Sequence, residues 1–450
     1  MPGRPKRAEQ GDYSSNAAML LAPMLEKSPR EVAQFLADDL GNDALSDSTE
    51  RIEVAGPGFL NFFMTDAWYR EAVSALLHGG GLEQPGREGP DVLLEFVSAN
   101  PTGPLTAAGG RGAAYGDALA RILEAAGRSV KREYFLNDAG AQIRNFAASI
   151  AARMQGEELP PDGYAGDYVR VLADELADQG LEPSDHEELA RCGTEAMRKR
   201  IEATLERFGV QFDTWSSERA LHDRGALAAT LEELRVAGHT YEADDALWLK
   251  TSAFGDDKDR VLIRSDGEPT YFAADVAYHR DKLVRGAGLM IDPLGADHHG
   301  YVPRMKAAVA MLTGDSERYE APIMQLVNIV DRGERTRMSK RAGDFVTLDE
   351  LIDDIGADAA RFFLLQRSHD TVIDLDIELA RSRSQDNPVY YVQYAHARIA
   401  GIIRKAEEAG RTPRDASGVP AEPSERALVR RLLDLPREVE TAAMRRAPHR

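Results

Sequence analysis

The chain has little cysteine and no long apolar run. Cys192 is its one cysteine, so no internal disulfide can form, which fits a reducing compartment. No stretch of about 18 apolar residues occurs, and a membrane span is not expected. The basic start, MPGRPKRAEQGDYSSN, lacks the apolar core of a signal peptide, so a cytoplasmic protein is expected. Acidic residues outnumber basic ones, 75 to 55. The net charge is −20 and the pI is near 5.0. Such a chain does not coat nucleic acid non-specifically, and any nucleic-acid partner must meet local basic patches.

Familiar motifs are missing too. The sequence contains no Gly-Lys pair, which excludes a Walker A loop. It contains no His-Glu-x-x-His. In 295-GADHHGY-301 the adjacent His298 and His299 lack further spaced ligands, so the cluster reads as a polar pocket rim and no metal site is expected. The dinucleotide fingerprint fails as well. Gly110 and Gly112 match Gly-x-Gly, but Tyr115 stands where the third glycine belongs.

The composition, 43% apolar and 29% charged over 450 residues, is that of a globular chain. That length allows roughly two to four domains. Residues 1–66 read as a small α+β module. A helical pattern runs from about Ser28 to Leu40, and strand-like 51-RIEVAGPGFLNFFMT-65 is broken at Gly56, Pro57 and Gly58. A linker over 67–90 follows, rich in glycine and proline from residue 79. The apolar run 91-DVLLEFV-97 predicts a strand buried on both faces. A helix near Gly112–Ala126 comes next, apolar at Tyr115, Leu119, Ile122 and Ala126 and closed by Gly127. With 130-VKREYFL-136 as a second strand, this is a βαβ unit and hence a parallel sheet.

Residues 145–235 are charged and helical, and read as an insertion between the halves of the sheet domain. Strand signals return in 246-ALWLKTS-252, 260-RVLIRS-265, 270-TYFAADVAYH-279 and 323-IMQLVNIV-330. Thr347 and Glu350 form a capping-box pattern at the start of a helix. From about Asn387 the pattern is helical to the end.

The turn 103-GPLTAAGGRG-112 lies between strand and helix, where backbone N–H groups attract anions. It reads as a phosphate site or as a tight packing turn. Glu95 sits inside an apolar strand. A buried carboxylate needs a partner, which is either an internal cation or a cationic ligand such as a guanidinium. Tyr271 and Asp275 are four apart and share a face only if their segment is helical. The basic loop 333-GERTRMSKRAG-343 is either a solvated loop or a clamp placing Lys340 on phosphate charge.

Together these segments resemble class I aminoacyl-tRNA synthetases, and among them the arginyl-tRNA synthetase family. EFVSANPTGPL, EYFLNDAGAQI, TYFAADVAYH, GADHHGYVPRMKAA, RMSKRAGDFVTLDEL and NPVYYVQYAHARI carry the resemblance, in order, over nearly the whole chain. It implies an α/β fold with a Rossmann-like parallel-sheet catalytic domain over 91–386, including a helical insertion at about 145–235. Residues 1–66 would be a partial tRNA-contacting module, and 387–450 the start of an all-α anticodon-binding domain.

The implied reaction is activation of L-arginine by ATP, accompanied by Mg2+, and transfer of the arginyl group to tRNA(Arg). Members generally need tRNA present for the first step. A monomer is expected. By position, Glu95, Ser98 and Asn100 resemble residues that hold the guanidinium and α-amino ends of arginine. Tyr271 and Asp275 resemble the other wall of that pocket. Asp297 and His298 resemble its rim, toward substrate and adenosine respectively. Met338, Ser339 and Lys340 match the second signature, with Arg337 and Arg341 in place of its first lysine and last serine. Lys340 is the lysine implied on the phosphates.

The first signature departs from the family. Thr106, Ala107, Ala108 and Gly109 stand where His-Ile-Gly-His is the pattern. Losing one such phosphate donor lowers rate by about 10²–10³. The expected replacements at ATP are the Thr106 hydroxyl, the N–H groups of Gly109 and Gly110, and Arg111. The alternatives are a catalytically impaired paralogue that binds arginine or tRNA in a regulatory role, and another adenylate-forming ligase with an arginine-like substrate. The family's terminal domains are longer than the matching segments, so weak tRNA binding and exposed apolar surface near the C-terminus are expected. Tyr390, Tyr391 and Tyr394 have helical spacing and are expected to pack in a core, with base stacking the alternative.

Overall fold

The computed structural model describes residues 3–5, 7–42, 45–77, 89–335, 346–411 and 422–450. The chain divides into two compact units, Met1–Gln84 with Ile403–Glu440, and Pro85–Ile402 with Thr441–Arg450.

In the first unit, the expected broken strand is a hairpin of Thr49–Ala55 and Phe59–Met64, which Tyr13–Ser15 extends antiparallel. Gly58 makes the turn possible. Its φ is +141°, and a Cβ there would stand 2.8 Å from the Pro29 carbonyl oxygen. Ser28 and Glu31 cap the Pro29–Asn42 helix reciprocally. Ala18, Val32, Ala33, Leu60, Phe62 and Tyr69 form the core. The first half of the expected 67–90 linker is instead the helix Asp66–Leu77. The Pro423–Arg445 helix joins this module through Arg430–Asp12 (2.5 Å) and Arg426–Asp66, and Arg426 also lies 5.0 Å from the Tyr69 ring centroid.

The second unit is built on a five-stranded parallel sheet. Its order is Tyr319–Glu320, Leu289–Ile291, Val92–Glu95, Val130–Leu136, Thr214–Ser217. The first strand in sequence is central, and the chain then winds to one side and afterwards to the other. This is a doubly wound, Rossmann-like sheet, and its switch point lies between Val92–Glu95 and Leu289–Ile291. Leu94, Phe96, Leu105, Leu119, Tyr134 and Ile291 lie in the core around it.

Three expectations need correction. The 145–235 segment is not all insertion. Helices Gly140–Gln155, Asp167–Asp178 and His186–Arg207 share their own core, but Thr214–Ser217 returns to the sheet as its edge strand. The strands Ala246–Leu249 and Arg260–Ile263 do not join that sheet. They form a separate antiparallel sheet with Thr240–Ala243. Finally, Tyr271–Val284 is a helix rather than a strand. The Thr270 hydroxyl accepts the Ala273 N–H at 3.2 Å and starts it.

The tyrosines of the Pro388–Glu408 helix are not core. Tyr390, Tyr391 and Tyr394 are all exposed, and Tyr390 stacks on Tyr394. The described residues of that helix bury Val389 alone, so its apolar spacing is not filled by packing among the described residues. The expected exposed apolar surface is present, with Ile399, Ile402, Leu428 and Leu432 among it.

Candidate functional site

Strand register sets three carboxylates in one row at the carboxyl ends of the sheet. Glu95 pairs in register with Glu133 on one side. Leu94 pairs with Ile291 on the other, so Asp292 emerges beside Glu95. Aligned residues of neighbouring strands share a face of the sheet. A row of buried negative charge must be compensated where it stands.

The Tyr271–Val284 helix and its C-cap supply that compensation. The Lys282 Nζ lies 2.5 Å from Glu95 Oε2, and 2.9 and 3.0 Å from the two Asp292 oxygens. Lys282 is 0% exposed, and its Nζ lies 4.6 Å from the Tyr278 ring centroid. Arg285 donates to both Glu133 oxygens, at 2.5 and 2.8 Å, and the Tyr278 hydroxyl donates to Glu133 at 2.5 Å. His279 bridges the Asp275 carbonyl and Asp292, each at 2.8 Å.

Burial pushes the Glu95 carboxyl up, against the pull of Lys282. Burial acts on Asp292 too, but there Lys282 and His279 outweigh it and hold the carboxyl below its ordinary range. Desolvation opposes the Lys282 ammonium, yet Asp292 and Glu95 more than offset it, and it stays charged. So the internal partner weighed for Glu95 exists, and it is Lys282. Sequence reasoning missed this residue. Its signal was the spacing of Asp275, His279 and Lys282 at i, i+4 and i+7, which puts all three on one helix face.

The chain leaves the Glu95 strand through a strained kink. Val97 has φ +68° and Ser98 φ +37°, a region a β-branched residue rarely occupies. The kink turns the Ser98 hydroxyl back to donate to Glu95 Oε1 at 2.8 Å, while it accepts the Phe135 N–H at 3.1 Å. Asn100 is fixed on both sides, accepting from Asn137 at 2.9 Å and donating to Gln142 at 2.7 Å.

Asp275 faces a second acidic residue. With Glu218 it lines a cavity of about 20 Å³, closed by Phe135, Leu221 and His222. Burial pushes both carboxyls up, and the charges of Asp138 and Asp275 add to the effect on Glu218. Tyr301 donates its hydroxyl to Asp275. Glu218 was not singled out from sequence. It begins the helix right after Thr214–Ser217, so its place at a strand end became visible only once that strand joined the sheet. Tyr271 opens its helix with a ring left 78% exposed. Asp297 and His298 lie on a short 3₁₀ helix, Ala296–Tyr301, both exposed and 3.4 Å apart.

Of the replacements expected at the first signature, the Gly109 and Gly110 N–H groups and Arg111 are already engaged within the chain, while the Thr106 hydroxyl is engaged as an acceptor, which leaves its O–H donor uncommitted by that bond. The Thr106 hydroxyl accepts the Gly109 N–H at 3.0 Å, and the Gly110 N–H goes to the carbonyls of Thr106 and Ala107. Arg111 is buried and donates to the carbonyls of Gln325, Ser368 and Thr371 at 2.7–2.9 Å. Its guanidinium joins chain segments, contrary to the expected placement of charge at ATP. Two of the glycines serve packing: a Cβ at Gly116 would stand 2.1 Å from the Phe96 side chain, and one at Gly110 2.8 Å from Leu348.

Thr106 also bridges Thr347, where the expected capping box with Glu350 is formed. Met338, Ser339 and Lys340 lie outside the described residues.

Residues 3–64 match the family pattern described as Arginyl tRNA synthetase N terminal domain, and residues 392–450 match the DALR anticodon binding domain. The arginine–tRNA ligase of Frankia alni is 48% identical over 466 residues, covering 99% of this chain and 83% of its own length. That of Desulforudis audaxviator is 46% identical, covering 99% and 82%. Among solved structures, the Thermus thermophilus arginyl-tRNA synthetase superposes with a TM-score of 0.75 at 26% identity, covering 100% of this chain and 85% of its own.

Proposed function

The chain belongs to the arginyl-tRNA synthetase family, and we propose how its residues carry the family's reaction. It is an ATP-dependent arginine–tRNA ligation. In the first step an oxygen of the arginine carboxylate bonds to the α-phosphorus of ATP, and pyrophosphate leaves. In the second, a ribose hydroxyl at the 3′ end of the tRNA takes the arginyl carbonyl, and AMP leaves. No bond to the enzyme is needed, so positioning and electrostatics supply the catalysis.

The cationic ends of arginine are held by acidic residues at the carboxyl-end side of the sheet. Asp275 and Glu218 take the guanidinium, whose planar fork suits paired carboxylates. Tyr271 closes over it. Glu95, with Ser98 and Asn100 behind it, takes the α-ammonium, and Asp297 stands at the rim. The observation that carries this reading is that Asp275 and Glu218 line one small cavity with no arginine or lysine in its wall; His222 also lines it, 3.7 Å from Glu218, and at about 20 Å³ it has room for about one water, so it opens further to admit the guanidinium.

ATP lies along the Thr106–Arg111 turn, with His298 toward the adenosine and Met338, Ser339 and Lys340 on the phosphates. Mg2+ comes with the ATP. Among the described residues, no group of three or more His, Cys, Asp or Glu side chains stands together to hold an ion. The engaged N–H groups of Gly109 and Gly110 favour a slower first step than a histidine-bearing signature supports. The enzyme works as a cytoplasmic monomer on tRNA(Arg). Among the described residues, no helix is long and apolar enough to cross a membrane.

ATP–pyrophosphate exchange with L-arginine, with and without tRNA, tests the reading. Exchange that depends on arginine and rises with tRNA is expected. Its absence under both conditions leaves the regulatory paralogue as the better account.

A further inference from the structure

We propose that Lys282 is a positioning residue for arginine and acts through Glu95. The proposal rests on the reading of Glu95 as an arginine ligand.

Glu95 stands at the end of a central strand, flanked in the sheet by Glu133 and Asp292. In such surroundings a carboxyl favours its neutral form, and a neutral carboxyl attracts an ammonium poorly. Lys282 opposes this. Its charge is delivered from inside the molecule, 2.5 Å from Oε2, and favours the anionic form of Glu95 from behind. The Ser98 hydroxyl fixes Oε1, and the Glu95 side chain remains 14% exposed. Each carboxylate oxygen has a second acceptor direction, so these two bonds orient the group without using it up.

Lys282 is itself aimed. Asp292 grips its Nζ with both oxygens, His279 grips Asp292, and the other His279 ring nitrogen meets the Asp275 carbonyl. One chain of polar contacts thus ties the Glu95 wall to the Asp275 wall. The charged and titratable groups around Lys282 include Glu95, Asp292 and Glu133 from the sheet, and Asp275, Tyr278 and His279 from its own helix.

The test is a double-mutant cycle on the full chain. Calorimetry reads the Kd for L-arginine, and pyrophosphate exchange in the presence of tRNA reads kcat and the KM for ATP. Glu95→Gln and Lys282→Met should each weaken arginine about tenfold or more and leave the KM for ATP within about twofold. Together they should weaken it little beyond Glu95→Gln alone, because Lys282 has then lost the group it acts through.

A folded Lys282→Met that binds arginine like the parent overturns the proposal, and so does a double variant in which the two losses multiply. If Glu95→Gln binds arginine normally, the arginine-pocket reading falls first and the inference with it. Should Lys282→Met alone fail to fold, the double variant removes both charges of the buried pair, and its comparison with Glu95→Gln decides.

Discussion

The Thr106 hydroxyl accepts the Gly109 N–H at 3.0 Å, across the two residues that separate them. The two positions where the family pattern has histidines are therefore bonded to each other. A Cβ on Gly109 would stand 3.2 Å from the Thr106 carbonyl and 3.3 Å from its hydroxyl, so Gly109 is tightly enclosed while Thr106 remains.

Restoring both histidines, Thr106→His with Gly109→His, removes that hydroxyl and supplies side-chain donors. The double variant should raise kcat for pyrophosphate exchange by about 10². Thr106→Ala alone should lower stability by about 1 kcal/mol through the lost hydrogen bond. Exchange rates and urea midpoints check the two statements separately.

Arg111 should prove a stability residue. Arg111→Met leaves three carbonyl acceptors without their donor and should destabilise the fold by about 3 kcal/mol. The KM for ATP of the folded enzyme should stay within about twofold. A large rise in that KM with unchanged stability would return Arg111 to the ATP site.

Tyr271 and Asp275 share a helix face but differ in burial, and their variants should separate. Tyr271→Ala removes an exposed ring and should shift stability by no more than about 0.5 kcal/mol, while raising the arginine KM. Asp275→Asn should lower kcat/KM for arginine by about 10², since a buried guanidinium loses its charged partner. Steady-state kinetics with thermal melts distinguishes the two.

Arginine affinity should depend on pH through Asp275 and Glu218. Both carboxyls stand above their ordinary values in the folded chain, chiefly through burial. As pH falls they take up protons earlier than exposed carboxyls, which titrate at about 4. The protonated forms lose their attraction for a guanidinium. The arginine KM should therefore be flat near neutrality and rise on acidification, beginning above that range. For stability the sign is opposite. A carboxyl raised in the fold stabilises it below the unfolded pKa, and that contribution is lost as pH rises through the folded value. Glu218→Gln should flatten the acidic rise in KM. An acidic limb identical to the parent's would remove Glu218 from the pocket.

Gly116→Ala should lower stability by about 1–3 kcal/mol, because the new methyl would overlap the Phe96 ring. A denaturation midpoint equal to the parent's would show that helix and strand can separate there without loss.

Much of this protein was legible in its sequence because the signals are local. The apolar run ending at Glu95 marks a buried strand by composition alone, and 130–136 is a strand with the expected bounds. The Thr347–Glu350 capping box needs only four residues, and it formed as expected. A carboxylate inside an apolar strand announces that it needs a partner.

The identity of that partner was not local. Lys282 follows Glu95 by 187 positions, and only strand register and helix placement bring them to 2.5 Å. The segment 270–279 is a short mixed apolar run, where strand and helix periodicities compete, and its helical state is settled by the Thr270 cap and by packing on the sheet. In the same way, Arg111 and the glycines looked like ligand-binding groups beside a helix N-terminus. Which donors remain for a ligand depends on carbonyls at Gln325, Ser368 and Thr371 and on the ring of Phe96, and chain folding alone delivers those to the turn. The sequence by itself determined the strands, the caps and the need for charge compensation. The tertiary structure decided which groups compensate each other, because hydrogen bonds and ion pairs depend on distances that no spacing along the chain specifies.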